Sequence, residues 1–114
     1  MSPQRFQDSI QACVACVVAC SHCATECLKE QDVRLLSRFI QLDLECEAIF
    51  RSAAEVMSLG GTGSEALCRV CADFCNNCAE ECGKHAEMGT EYCRMCAEAC
   101  RSCAESCEQM SIAA

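Results

Sequence analysis

Three stretches of this chain carry cysteine at every third or fourth position: CVACVVACSHCATEC from Cys13 to Cys27, CRVCADFCNNCAEEC from Cys68 to Cys82, and CRMCAEACRSCAESC from Cys93 to Cys107. Within each comb the five cysteines, Cys13, Cys16, Cys20, Cys23 and Cys27 in the first, step by 3, 4, 3 and 4 residues. That is the a/d spacing of a helix, and it sets all five side chains on one stripe. The fillers agree, because Ala, Glu, Arg and Met are good helix formers and no comb contains Gly or Pro. Whatever this chain folds into must put rows of thiols on helix faces.

The second and third combs, Cys68, Cys71, Cys75, Cys78, Cys82 and Cys93, Cys96, Cys100, Cys103, Cys107, lie 25 residues apart and share C-R-x-C-A-x-x-C-x-x-C-A-E-x-C. The first ends in the related Cys23-Ala-Thr-Glu-Cys27. Such repetition favours one structural unit used several times. The pattern predicts a first helix over about 3–29, with Ser2 as N-cap and Pro3 at the first helical position. A second is predicted over about 33–59, capped by Asp32 and stopped by Gly60-Gly61. The third, after Ser64, runs to about 85, and the fourth from about 90 to 111. On helix 2, Leu35, Phe39, Leu42, Cys46, Ile49, Ala53 and Val56 repeat at 4, 3, 4, 3, 4 and 3, which puts Cys46 on an inward position like the others. The expected fold is all-α: a single domain over 1–114, an antiparallel up-down-up-down four-helix bundle with a Cys-lined interior.

Composition sharpens this. The 114 residues are 52% apolar, but 16 of them are Cys and another 16 are Ala. From Thr90 to Ile112 the large apolar side chains are only Tyr92, Met95, Met110 and Ile112. That segment has little but sulfur to bury. The net charge of -8, without any Lys/Arg cluster, argues against nucleic acid and against an anionic membrane surface. Val17-Val18-Ala19-Cys20 looks like a lipoprotein processing box. Its approach, however, carries one basic residue, Arg5, is interrupted by Asp8, and includes Cys13 and Cys16 of the comb. No apolar run approaches the ~20 residues of a membrane span. The expected setting is the cytosol, with thiols kept reduced.

Three uses of the stripes compete. Disulfides within a stripe would distort the helix, because Cβ atoms one turn apart are about 5 to 6 Å from each other while a bridge needs about 3.5 to 4.5 Å. Core filling is partly satisfied by protonated thiols, which act as small hydrophobes, but Ala or Val would fill the space without risk of oxidation. Metal binding fits the distances: bonds of about 2.3 Å give a two-coordinate S–M–S span of about 4.5 Å. Zinc CxxC pairs and iron–sulfur CxxCxxC runs usually sit on loops rather than helices. Soft Cu(I) best matches an all-thiolate lining and tolerates low coordination. His85 continues the helix 3 stripe past Cys82, and Met110 that of helix 4 past Cys107, so both point inward at opposite bundle ends. His22 faces outward; Met57, Met88 and Met95 fall off the stripes, as packing, loop or subunit-contact residues.

Helices lined with CxxCxxxC combs in a chain of this length resemble the cytosolic bacterial copper storage proteins. The resemblance covers nearly the whole chain and rests on the three combs. It implies a four-helix bundle that sequesters many Cu(I) ions on inward-facing Cys, assembled as a homotetramer. On this reading all 16 cysteines, Cys46 included, and His85 are metal ligands, the cofactor is Cu(I) at several ions per chain, and the protein is not an enzyme. Two alternatives stand beside it: a general thiolate buffer for Zn(II) or Cd(II), and a thiol redox protein working through one exposed, low-pKa CxxC pair.

Overall fold

The computed structural model describes residues 3–60, 62–86 and 91–113. They form four long helices: α1 Pro3–Leu28, α2 Ser37–Ser58, α3 Ser64–Ala86 and α4 Glu91–Ala113, with a single 3-10 turn, Val33–Leu36, ahead of α2. The expected N-cap Ser2, half of the Gly60-Gly61 stop, and the predicted start near Thr90 lie outside the described residues. Gly60 itself has φ of 66°, and its N–H donates to the Met57 carbonyl at 3.1 Å. A left-handed residue just past the last turn ends a helix by satisfying a carbonyl that the ladder leaves open.

Sulfur contacts fix the topology. Along α1 and α4 the pairs run in opposite order, Cys13 with Cys107 (4.0 Å), Cys20 with Cys96 (3.8 Å) and Cys23 with Cys93 (3.8 Å), so these helices are antiparallel. Along α1 and α3 they run in the same order, Cys13 with Cys71 (3.9 Å) and Cys20 with Cys78 (4.0 Å). The backbones of α1 and α3 do not adjoin; helix neighbours are α1 with α2, α2 with α3, α3 with α4 and α4 with α1. Sulfurs from diagonal helices therefore meet on the bundle axis. The result is an up-down-up-down bundle 46 Å long and 20 by 17 Å across.

The most extensive interface joins α3 and α4. Ala72, Ala79, Ala97 and Ala104, each following a cysteine of the shared motif, are all buried. Small side chains beside the stripes allow close helix approach, since interaxial distance follows side-chain size at the contact. This is a physical reason for the C-A dipeptides of the repeat.

Two expectations need correction. Helix 2 does not begin at Val33 under an Asp32 cap: the first residues form the 3-10 turn, and Asp32 makes no side-chain capping bond. That turn shifts the phase of the helix. Leu35 is exposed; the buried positions are Leu36, Asp43, Cys46, Phe50, Ala53 and Met57, with Glu47 beside Cys46. Asp43, Cys46, Phe50, Ala53 and Met57 step by 3, 4, 3 and 4, the same comb as the other helices with one thiol in it. Second, Gln7–Leu28 is, by length and composition, apolar enough to cross a membrane, at 22 residues and mean hydropathy 1.4. Its cysteines account for much of that hydropathy, and all five are packed inside the bundle.

Candidate metal centre

All sixteen cysteines are buried as free thiols. The helical stripes hold them, and their sulfurs form a column along the axis. Five groups of donor atoms, each within 4.8 Å of one another, can be distinguished among the described residues: Cys13/Cys71/Cys103/Cys107, Cys16/Cys75/Cys103, Cys20/Cys78/Cys96/Cys100, Cys23/Asp43/Cys82/Cys96 and Cys23/Cys27/Cys93. Cys103 joins the first two groups, and Cys96 and Cys23 join the other three, so the donors fall into two connected sets stacked along the axis.

Neighbouring sulfurs sit at 3.6 Å for Cys13 and Cys103, 4.0 Å for Cys71 and Cys103, and 3.9 Å for Cys78 and Cys82. Metal–thiolate bonds of about 2.3 Å place two sulfurs about 4.0 Å apart in trigonal and about 4.5 Å apart in linear coordination. The thiols are thus spaced for bridging through metal with small outward movements. They are too far apart to be disulfides, whose S–S distance is about 2.05 Å.

The thiols are not equivalent. Cys103 is held well below the ordinary thiol range by hydrogen bonds from Cys107, Cys13, Cys16 and Cys71. Cys100 is held down in the same way by Cys16, Cys20, Cys78 and Cys96, and Cys82 by Cys23, Cys78 and Cys96. The donors move the other way: Cys71 is raised first by Cys103, Cys78 first by Cys100, and Cys23 first by Cys82, with burial adding to each. Four of the five groups thereby favour one thiolate that its neighbours stabilise, while further ionisation meets both low dielectric and like charge. At the column end, burial pushes Cys27 up to about 11, helped by the charges of Cys93 and Asp43. A cation that enters replaces these protons, and its charge removes the repulsion.

The remaining residues singled out in the sequence are distributed as follows. Cys46 faces inward on α2 but bonds to the Phe74 carbonyl at 3.6 Å, outside the five groups. Cys68 also lies outside them, and its thiol points to the thioether of Met57 at 3.7 Å. Met57, read as off-stripe, is therefore a buried lining residue. Met110 is fully buried, as expected, at the same bundle end. His85 is half-buried and packs its ring on Phe39, with centroids 5.0 Å apart. His22 and Met95 are exposed, and Met88 lies outside the described residues.

Asp43 was missed by the reading of the sequence. It is fully buried, and its Oδ1 accepts from Cys78 at 3.6 Å, Cys96 at 3.7 Å and Cys82 at 4.0 Å. Burial, then the charge of Cys82, raises its carboxyl to about 7. The signal was available: Asp43 stands one comb step before Cys46.

This fold and lining define a class of helical bundle with a sulfur interior, and comparison with known proteins gives it a family. The family model described as Csp, copper storage protein, matches residues 2–112. The chain belongs to the copper storage protein family. The Cu(I)-bound copper storage protein BsCsp3, from Bacillus, is 40% identical, with 94% of this chain and 98% of that one covered at a TM-score of 0.87. A cytosolic copper storage protein from Streptomyces lividans, in a structure with five coppers, is 37% identical, with 96% and 93% covered at a TM-score of 0.89. The cysteine-rich protein YhjQ of Bacillus subtilis is 42% identical over 70 residues, which are 61% of this chain and 65% of that relative's length.

Proposed function

We propose that this chain is a high-capacity Cu(I) store of the cytosol. It holds several ions per chain on the thiolates of all sixteen cysteines, Cys46 and Cys68 among them. The observation that carries this is the stack of buried thiol groups along the bundle axis, with neighbouring sulfurs within each set 3.6 to 4.0 Å apart. Each monovalent ion offsets one thiolate, and capacity lies on the order of one ion per one to two cysteines. Cytosolic setting and copper loading of the Streptomyces lividans relative support the compartment and the cargo.

His85 takes an accessory role at the bundle end formed by Cys27, Cys82 and Cys93. The chain is a single domain that assembles as a homotetramer, to which Val14 and Val18, exposed one turn apart on α1, supply apolar contact surface. It carries out no catalysis, and it engages neither nucleic acid nor membrane.

Storage spread over many thiolates predicts graded behaviour. Cys75→Ala and Cys100→Ala each lower the copper held by about one ion and leave the helical content unchanged. Complete loss of copper binding on either single substitution would contradict storage and point to one dominant redox or metal site. The assembly is checked by light scattering on the reduced protein.

A further inference from the structure

The Cys23/Asp43/Cys82/Cys96 group differs from the other four donor groups in including an oxygen. Its donors come from all four helices: Cys23 from α1, Asp43 from α2, Cys82 from α3 and Cys96 from α4. All are buried, and they lie within 4.8 Å of one another. A buried carboxylate is costly unless paired with charge or fully hydrogen-bonded. Here Oδ1 accepts only weak S–H donors, and Oδ2 is buried without any hydrogen-bond partner. An aspartate kept inside an all-thiol wall with half of its carboxylate unsatisfied presents an oxygen donor to the group.

The donor set selects the ion. Carboxylate oxygen is a poor match to soft Cu(I), whereas Zn(II) accepts Cys sulfur and Asp oxygen together in tetrahedral geometry. Zn–S bonds of about 2.3 Å and Zn–O bonds of about 2.0 to 2.2 Å make tetrahedral edges of about 3.6 to 3.8 Å. Asp43 Oδ1 lies 3.7 Å from Cys96 Sγ and 4.0 Å from Cys82 Sγ, so closure needs only small side-chain shifts. Three thiolates and a carboxylate place four negative charges in the interior. A divalent ion cancels two of them where Cu(I) cancels one.

We propose that the Cys23/Asp43/Cys82/Cys96 group is a tetrahedral S3O site for one divalent cation of the Zn(II) type, distinct in preference from the all-thiolate remainder of the column. Binding displaces the thiol protons of Cys23 and Cys96, together with the carboxyl proton wherever Asp43 carries one, to solvent and involves no change of oxidation state. Because Cys96 also belongs to the Cys20/Cys78/Cys96/Cys100 group, a divalent ion here competes with copper for one sulfur of the adjacent group.

The test is anaerobic titration of the reduced, full-length apo protein with Co(II), whose visible bands report tetrahedral coordination, followed by displacement with Zn(II). The expected result is about one tetrahedral Co(II) per chain, displaced by Zn(II), with affinity at least about tenfold weaker in Asp43→Asn. Asp43→Cys restores the affinity and intensifies the sulfur-to-cobalt charge-transfer band. Unchanged affinity and spectrum in Asp43→Asn, or an absence of tetrahedral Co(II) in the unsubstituted protein, would overturn the proposal. Circular dichroism of each variant checks the fold, and the Asp43→Cys arm retains a readout if Asn loosens the bundle. Copper capacity of the same preparation is read separately: cobalt failure with copper uptake removes only this site, whereas copper failure removes the storage reading and leaves the cobalt result standing.

Discussion

The Met57 thioether sulfur lies 3.7 Å from the Cys68 thiol, where the end of α2 meets the start of α3. Both are buried, together with Met110 of α4. This bundle end is closed by two flexible, polarisable side chains that complete the sulfur lining beyond the last cysteines.

Met57→Leu conserves volume and is expected to cost less than about 1.5 kcal/mol of stability, whereas Met57→Ala leaves a cavity and costs about 2 to 5 kcal/mol. Urea unfolding of the reduced apo variants measures both. Equal effects would show that packing at this end does not depend on filling the Met57 position.

Phe50 is the largest fully buried side chain among the described residues, on the inner face of α2. Phe50→Ala is expected to cost about 3 to 5 kcal/mol, enough to unfold much of an apo bundle of ordinary stability. Ions that bind only the folded state restore it by mass action. Thermal melts with and without Cu(I) should show a large fall in the apo midpoint and substantial recovery on loading; an equal deficit in both states would count against metal-linked folding.

Gly60 ends α2 with φ of 66°, and a Cβ placed there would meet nothing within 4 Å. The penalty of Gly60→Ala is therefore torsional, roughly 1 to 2 kcal/mol. Gly60→Asn should cost less, since Asn tolerates the left-handed region better. Denaturant midpoints for the two variants check the order.

Asp43 makes apo stability depend on pH. Facing Cys23 from α1, Cys78 and Cys82 from α3 and Cys96 from α4, its carboxyl is raised by burial from an ordinary 3.8 to about 7. Between those values the folded chain binds more protons at this group than the unfolded chain does, so its contribution to stability is full at the acid side and is lost as pH rises towards 7. The apo protein should unfold at lower urea near pH 7 than near pH 5, and Asp43→Asn should flatten that difference. A slope equal in both proteins would assign it to other groups.

The legible and illegible parts of the fold have one physical origin. Helices α1, α3 and α4 announced their inward faces because one residue type marks every comb position, and their ends were read to within a few residues. In α2 the marker is a single cysteine, and Phe39, Cys46 and Ala53 belong equally to two stripes one residue apart in phase. Counting apolar residues chose the stripe of Leu35, Leu42, Ile49 and Val56. The other, with Leu36, Asp43, Phe50 and Met57, is the buried one, because the 3-10 turn at Val33–Leu36 rotates the helix entry. Its acidic member lowered the apolar count of the correct face, so Asp43 and Met57 were concealed by the same step. His85 followed the stripe of α3, but its packing on Phe39 depends on the fold of α2.

The most direct test of storage is anaerobic titration of the fully reduced protein with Cu(I) against a strong chromophoric Cu(I) chelator, reading tightly held copper per chain. A lining of sixteen buried thiols predicts saturation at roughly eight to sixteen ions. Saturation at about one or two ions would contradict it, and would make the sulfur column chiefly a hydrophobic core.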